Sequence, residues 1–425
     1  MQSVSSTLAW TGAAYLASVL AIAATMAPLG SPVFLACAGV AAAAYVIMLA
    51  RTWTEDRAPR RLLFAALALA VAFRVPLVIP RAGVDSDMMR YVWDGRAQRL
   101  GYNPYLVLPA DAALSAIHTD ETRQMPSARA RTPYPPAAQL FFRLVVTLND
   151  SSRAMRLALV VCDLLTIAVL WRWLVVTGRR EWLTIAYAWN PLVVLEVAHS
   201  GHIDALGALW IAASAYWLAR RRTSLASIAF VLAVATKVLP IVLMPLYWRR
   251  IRVRDALAGM ILFALLYLPF VSGATLPFGG VSNVVAHVRF NGPVFRWIAA
   301  LTAPQVAAAT AVAVGCAVAA WARWRLDESN PAAWGWPMAA ALACGPVIYP
   351  WYLLYFTPFL FSGHTLPLAA WTLSIVPVYV VWEMVGRGGR WVVPAGVLAA
   401  EYALPVAVSL WVASSAWRRR ALPRV

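Results

Sequence analysis

The chain has 425 residues, of which 62% are hydrophobic and only 13% are charged. This composition lies outside the range of soluble domains and predicts an all-α, polytopic membrane protein. The formal net charge of +18 does not indicate nucleic-acid binding, because the arginines are grouped between apolar segments, as the positive-inside rule requires. The four cysteines lie in apolar segments without paired spacing, so they predict neither a disulfide framework nor a metal site.

Apolar segments long enough to cross roughly 30 Å of hydrocarbon recur along the chain. The predicted spans are residues 7–28, 32–50, 62–80, 155–177, 182–198, 203–219, 255–272, 297–322, 333–347, 351–363, 365–385 and 391–415. Together with shorter apolar segments they predict a helical bundle of about 12–14 membrane passes. The first span is predicted to be a retained helix and not a signal peptide, because no basic residue precedes Arg51. Placing the arginine clusters in the cytoplasm puts both termini there and residues 81–153 outside.

The long polar segment at residues 81–153 is the first candidate for chemistry. Its first part concentrates charged residues, namely Asp85, Asp87, Arg90, Asp94, Arg96 and Arg99. A helix starting near Asp87 places Asp87, Arg90 and Asp94 on one face, where they could line a common pocket. The alternative is a solvated surface helix with ordinary ion pairs. Farther along, Ala137–Leu148 is apolar but too short to span, so we expect an interfacial helix there.

Residues 224–247 are long enough for one crossing but have arginines at both ends. A hairpin of two short helices, broken at Pro240, keeps both sets of arginines on one side of the membrane. The alternative is that one set faces outward. The only lysine of the chain, Lys237, stands at this break. An ammonium in an apolar segment needs an anion unless it snorkels to the interface, so Lys237 is a candidate binding residue.

Three further polar groups stand at predicted outer boundaries. The first contains Glu196, His199, His202 and Asp204. A metal site is one interpretation, but the spacing is not that of a zinc signature, and hydrogen bonding to a sugar or support of the first outer loop is favoured. The second contains His287 and Arg289. The third contains Tyr349, Trp351 and Tyr352, which are typical both of a membrane interface and of a surface on which a sugar ring stacks.

These motifs stand in a fixed order along the chain. They are Asp87–Arg96, Gly101–Tyr105, Tyr134–Pro136, Asn190–Leu192, Gly201–Leu206, Lys237 with Pro240, and Tyr349–Tyr352. The set resembles the GT-C superfamily of integral membrane glycosyltransferases, and is most similar to bacterial mannosyltransferases that use polyprenyl-phosphate mannose. The resemblance extends from about residue 62 to the C-terminus. It implies a GT-C bundle with a large first outer loop carrying short interfacial helices, in the bacterial cytoplasmic membrane.

The resemblance also implies a polyprenyl-phosphate sugar donor, with mannose as the favoured sugar, and an extracytoplasmic glycan or glycolipid acceptor. It implies a catalytic aspartate in the first outer loop, which is Asp87 or, alternatively, Asp85. Methionines at 88 and 89 depart from the family pattern. Three regions follow: residues 1–61 with two additional N-terminal helices, the catalytic module at 62–272, and the C-terminal helices and outer loops at 273–425.

The chemistry of this transfer requires a carboxylate to accept the proton of the acceptor hydroxyl and cations to hold the departing phosphate. The predicted phosphate ligands are Lys237, Arg289 and Arg90. The predicted substrate-binding residues are Asp94, Arg96, Tyr134, His199, His202, Asp204, His287, Tyr349, Trp351 and Tyr352. Fixed cations can replace a metal, so no cofactor is expected, with a divalent cation as the alternative. Intramembrane charge and a broken helix also fit a lipid transporter or flippase, which is the alternative function.

Overall fold

A computed structural model describes residues 4–54, 59–78, 86–273, 277, 279–280 and 287–421 of the chain. Within these residues the regular structure is helical. The α-helices are α1 (Val4–Thr25), α2 (Pro32–Thr54), α3 (Arg60–Val78), α4 (Ser86–Arg99), α5 (Pro136–Leu148), α6 (Ser152–Val176), α7 (Ile185–Ala188), α8 (Pro191–Val194), α9 (Asp204–Ala219), α10 (Thr223–Val234), α11 (Val253–Tyr267), α12 (Pro293–Leu301), α13 (Pro304–Arg325), α14 (Pro331–Ala343), α15 (Leu366–Ser374), α16 (Val380–Gly386) and α17 (Ala395–Ala421).

Short helical turns of other types join these elements. The 3-10 turns are Ala112–Ile117, Thr122–Gln124, Glu181–Thr184, Leu239–Tyr247, Leu268–Phe270, Pro350–Tyr355, Thr357–Phe359, Gly363–Thr365 and Val376–Tyr379, and a π-helical turn covers Leu195–Ser200.

Eight helices of the described chain are long and apolar enough to cross a membrane, which confirms a polytopic, all-α membrane protein. The twelve predicted spans are not all continuous helices. Residues 203–219 and 333–347 contain helices of only 16 and 13 residues. Residues 182–198 and 351–363 are divided into short turns. Proline explains much of this division, because it donates no backbone hydrogen bond and clashes with the preceding turn.

The two N-terminal helices are integral parts of the bundle. On α1, Tyr15 stacks on Phe73 of α3 with ring centroids 4.1 Å apart. On α2, the hydroxyl of Tyr45 donates a 2.8 Å hydrogen bond to the carbonyl of Ala186. Both tyrosines are fully buried, so α1 and α2 pack against the elements that carry the rest of the fold.

A buried ion pair joins α3 to α6 within the bundle. The guanidinium of Arg74 contacts both carboxylate oxygens of Asp163. It also donates to the carbonyls of Ala70 and Ala188 at 2.6 and 3.0 Å. Because neither charge reaches solvent, the pair needs this complete set of partners. Hydropathy predicts the two spans but does not predict this buried ion pair.

The segment predicted to be the first outer loop contains the two predicted short helices, α4 and α5, which pack against each other. Their close approach requires Gly95, since a Cβ there would lie 2.7 Å from the carbonyl oxygen of Phe142. Residues 79–85 are outside the described chain, and Asp85 lies among them.

The hairpin predicted from the flanking arginines is present. Helix α9 runs from Asp204 to Ala219, α10 returns, and the 3-10 helix Leu239–Tyr247 follows after the break near Pro240. The turn between them brings Lys237 back to Asp204. The far ends meet again where Arg250 contacts Glu328 and Arg221 contacts the same carboxylate. Helix α9 therefore has a site end at Asp204 and an arginine end after Ala219.

Candidate functional site

A row of four polar side chains leads from the outer loop into the bundle. The Nδ1 atom of His202 lies 3.7 Å from Oδ2 of Asp87, and its Nε2 atom lies 3.4 Å from Oε2 of Glu196. The hydroxyl of Tyr379 donates to the other oxygen of Glu196. His202 and Glu196 are fully buried, whereas the side chain of Asp87 is 33% exposed. Asp87 is thus the accessible end of the row.

The local backbone explains how Glu196 and His202 meet. The π-helical turn Leu195–Ser200 ends at Gly201, whose φ of +80° is readily adopted only by glycine. The amides of Gly201 and His202 both donate to the carbonyl of Glu196, at 2.9 and 3.0 Å. This tight turn starts α9 and directs His202 back over Glu196. A Cβ on Gly201 would also lie 2.3 Å from Cε of Met88, so glycine allows α4 to come close enough for Asp87 to reach His202.

The surroundings of Asp87 keep its carboxyl group ionised. Burial raises its pKa, but the hydrogen bond and charge of His202, the charge of Lys237 and a hydrogen bond from Tyr134 outweigh burial. The pKa of Asp87 therefore lies below the usual aspartate range. Burial and the nearby Asp87 charge raise the pKa of Tyr134 well above its usual value, so Tyr134 remains a protonated hydrogen-bond donor.

The anion that Lys237 requires is supplied by Asp204. The Nζ atom lies 2.7 and 3.0 Å from the two carboxylate oxygens. It also lies 3.9 Å from the ring centre of Tyr352, a cation–π contact. The lysine side chain is 21% exposed, so the paired ammonium still faces the site. The turn that carries it is tied to the outer loop, because the amide of Ala137 donates to the carbonyl of Ala235 at 2.8 Å.

Aromatic rings form one wall of the site. The ring of Trp351 stacks on His202 with centroids 4.0 Å apart and an angle of 8°. Tyr349 stacks on Trp351 at 4.5 Å, and Phe290 stacks on Tyr349 at 4.8 Å. Trp351 is buried in this column, whereas Tyr349 and Tyr352 are half-buried. The column holds the imidazole in a fixed plane, and Tyr349 and Tyr352 are its more accessible neighbours.

Three predicted charged residues of α4 are directed away from this cluster. Arg90 pairs with Asp94 at 2.7 Å and donates to the carbonyl of Ala130 at 2.7 Å. Asp94 also accepts from Gln139, at 2.8 Å. Arg96 pairs with Asp150 at 2.6 Å. Arg90 and Asp94 therefore pair with each other and with the loop, whereas Asp87 contacts His202, so the structure does not bring the three into one pocket. The Nη2 atom of Arg90 is buried without a hydrogen-bond partner among the described residues.

The remaining predicted residues lie around the cluster. His199 contacts Ser200 at 3.4 Å and lies beside the ring of Phe34 from α2. Arg289 donates to its neighbour's carbonyl and lies 4.7 Å from the ring centre of Phe295. Its segment joins the site through the stack of Phe290 on Tyr349. His287 is exposed at the edge of the described chain.

Two residues of the cluster were not predicted as site residues. Glu196, in contrast, stands in the polar group predicted around His199 and His202, where an acidic residue in an apolar run is the signal that identifies it. Arg156 is buried on α6 and its charge acts on His199. Tyr379 follows Glu196 by 183 positions, and nothing in its own sequence segment distinguishes it from an interfacial tyrosine.

The cluster as a whole is close to electrically balanced. It holds three carboxylates, Asp87, Glu196 and Asp204, and two fixed cations, Lys237 and Arg156, with His202 between two of the carboxylates. In the described part of the chain, no group of three histidine, cysteine, aspartate or glutamate side chains is arranged to hold a metal ion. The arrangement offers a partly exposed carboxylate whose pKa is lowered by the charge of an ammonium, which suits proton transfer near an anionic group.

Comparison with known protein families gives a match over more than half of the chain. A family model described as alpha-(1->6)-mannopyranosyltransferase, N-terminal domain, matches residues 3–250. The matched part includes α1 and α2 together with Asp87, His202 and Lys237, whereas Trp351 and Tyr379 follow it. Comparison with curated proteins gives no significant match.

Proposed function

The chain belongs to the alpha-(1->6)-mannopyranosyltransferase family, and from this membership we propose that it uses a polyprenyl-phosphate mannose donor and mannosylates an extracytoplasmic glycan or glycolipid. The observation that carries the proposal is the partly exposed, ionised carboxylate of Asp87, whose pKa the charge of Lys237 helps to lower. The family description adds an α-1,6 linkage, so we propose the primary hydroxyl of an acceptor mannose as the nucleophile. The positive-inside rule puts the site end of α9 outside.

The proposed reaction is a single inverting displacement at the anomeric carbon. The acceptor oxygen forms a bond to this carbon while the bond from the carbon to the phosphate oxygen breaks. The transition state resembles an oxocarbenium ion. Asp87 accepts the proton of the acceptor hydroxyl, and its negative charge stabilises the positive sugar ring before the proton moves. A depressed pKa serves the second role, because Asp87 stays ionised over the working pH range.

The leaving group is the polyprenyl phosphate anion. Lys237 is the proposed ligand of this phosphate, and Arg289 is a second candidate on the segment tied to Tyr349. The pair with Asp204 holds the ammonium in place before the donor arrives, and the phosphate then shares it. Arg90 is left out of this group because Asp94 and the carbonyl of Ala130 hold its guanidinium. The half-buried Tyr349 and Tyr352 are the proposed surfaces for sugar stacking.

A donor comparison in proteoliposomes tests the proposal. The purified protein receives radiolabelled polyprenyl-phosphate mannose or a nucleotide-linked mannose, each with a mannoside acceptor. We expect label in the acceptor only from the lipid donor, and an α-1,6 linkage by glycosidase digestion. Transfer from the nucleotide sugar alone contradicts the donor assignment. Movement of the labelled lipid between leaflets without transfer contradicts the enzyme and supports the flippase.

A further inference from the structure

The arginine end of α9 contains a cavity of about 430 Å³. It lies between the α9–α10 turn, the end of the Leu239–Tyr247 helix and the end of α13. Five arginines and two carboxylates line it, which leaves a surplus of three positive charges. The arginines are Arg221, Arg249, Arg250, Arg323 and Arg325. Topology requires arginines on this side of the membrane, but it does not require them to surround one cavity.

One of these arginines, Arg250, has a buried hydrogen-bond donor without a partner in the described part of the chain. The side chain of Arg250 is only 7% exposed. One of its terminal nitrogens donates to the carbonyl of Leu326 at 2.8 Å, and Nε lies 3.6 Å from Glu328. The other terminal nitrogen, Nη1, is buried without a hydrogen-bond partner in the described part of the chain. A buried charged donor left unpaired is costly, and because Arg250 lines the cavity, an anion held there would supply the missing partner.

Two other arginines of the cavity occupy backbone positions that favour glycine. Arg221 has a φ of +57° and Arg249 has a φ of +59°. At Arg221 the amides of Arg221 and Arg222 bond back to Leu218 and Trp217, the hydrogen-bond pattern that ends a helix with a left-handed residue, normally glycine. Arginine at these positions strains the backbone but adds a guanidinium to the cavity rim.

The position of the cavity indicates which anion it binds. Trp248 and Trp324 flank it and are 68% and 78% exposed. Exposed tryptophans next to arginines are typical of the level of lipid headgroups. The cavity opens beside the apolar helix α13, on which Trp321 and, farther along, Val312 are also exposed. A ligand with a phosphate in the cavity and acyl chains along this helix uses both surfaces.

We propose that this cavity binds the phosphate of an anionic phospholipid headgroup. The surplus of positive charge attracts the phosphate, Arg250 donates to it through Nη1, and Arg249 and Arg325 close over it from the rim. The site is at the opposite end of α9 from Asp204, so it is separate from the proposed donor site. Its occupancy does not depend on the identity of the sugar donor.

Native mass spectrometry of the purified protein in detergent tests this proposal, with phosphatidylglycerol and phosphatidylcholine as probes. We expect phosphatidylglycerol to be retained and phosphatidylcholine to be lost. The double variant Arg249→Gly with Arg325→Gln removes two rim charges and relieves a strained backbone, so it is expected to fold with an unchanged melting temperature. Its affinity for phosphatidylglycerol should fall roughly 30-fold, since each arginine near an anionic lipid contributes about fivefold.

Arg220→Gln is the matched control, because it removes one charge at the same end of α9 from a residue that does not line the cavity. We expect it to retain phosphatidylglycerol. Equal retention of both lipids by the wild-type protein overturns the proposal, and so does full retention of phosphatidylglycerol by a folded double variant. Binding of inorganic phosphate by a wild-type protein that retains no phosphatidylglycerol assigns the cavity to a free phosphate and also overturns it.

Discussion

The two ends of α9 carry similar numbers of charged residues but organise them differently. At the site end, opposite charges are matched: Lys237 contacts Asp204 at 2.7 Å, and His202 lies between two carboxylates. At the arginine end, five guanidinium groups share two carboxylates around an open cavity. The 16 residues of α9 separate these ends by roughly 24 Å.

The matched charges at the site end and the surplus of positive charge at the arginine end suit different tasks. Matched buried charges lose mobility before any substrate binds, which is the preorganisation that a transition state requires. A surplus of one sign has no such internal order and gains most from an external anion. The first arrangement favours chemistry and the second favours binding.

The largest effect is expected from Asp87→Asn. This change keeps the size of the side chain and removes the proton acceptor, so the transfer rate should fall by roughly 10² to 10⁴. The side chain is a third exposed, so folding should be retained. The measurement is initial-rate mannosyl transfer in proteoliposomes, with the melting temperature as a check on folding.

Asp120→Asn is the control for this substitution, because Asp120 lies in the same outer loop with a fully exposed side chain. Its rate should equal that of the wild-type protein. Full activity of Asp87→Asn would instead point to Asp85, the other predicted base.

A smaller loss is expected from Lys237→Met. It removes the proposed phosphate ligand, so turnover and apparent donor affinity should both weaken. It also leaves Asp204 buried without its cation, and breaking a fully buried pair costs about 3–5 kcal/mol, less here because the lysine is partly exposed. Stability and function are therefore both expected to fall in this variant.

The double variant Lys237→Met with Asp204→Asn separates the two effects. Removing both charges should restore much of the melting temperature. If transfer stays low, Lys237 acts on the donor. If transfer returns together with stability, the ion pair is structural and the phosphate is held by other residues, with Arg289 the next to test.

The sequence predicts some features of the two ends of α9, but it does not predict which side chains contact each other there. Arginine grouping predicts the hairpin, and the only lysine predicts a charged site at its turn. The sequence does not predict that Asp204 is the partner, because a pair 33 residues apart depends on how α9 and α10 pack. Asp87, Arg90 and Asp94 do lie on one helix, as the spacing predicts. The sequence does not predict that Gln139 and the carbonyl of Ala130 contact Asp94 and Arg90 and so separate them from Asp87.

A shift in pH dependence is expected from His202→Gln. In the wild-type protein, His202 lowers the pKa of Asp87 against the effect of burial. Activity should therefore persist as pH falls into the usual aspartate range, about 3.9, and be lost only below it. Without His202, two of the contributions that oppose burial are lost and the pKa of Asp87 rises, so the acidic limb of kcat/KM should move to higher pH.

Two further variants calibrate this shift. Tyr134→Phe removes a weaker contribution of the same sign, so its acidic limb should move in the same direction by less. His118→Gln changes a histidine of the outer loop that contacts Pro109 instead of Asp87, and its profile should match the wild-type one. An unchanged profile in His202→Gln would show that Asp87 does not control the acidic limb.

The least perturbing prediction concerns which end of α9 faces outward. Ser127 lies in the first outer loop, whose backbone holds Arg90 on α4, and Ser224 lies at the arginine end beside Asp255. Single cysteines at these positions should leave transfer nearly unchanged, since neither residue belongs to the site. A membrane-impermeant maleimide added to intact cells should label Ser127→Cys and not Ser224→Cys. Both should be labelled after permeabilisation, and the wild-type protein gives the background labelling of its own cysteines.

The reverse labelling pattern would put the carboxylate cluster in the cytoplasm. Every arginine cluster would then lie outside, against the charge rule on which the outward-facing site depends.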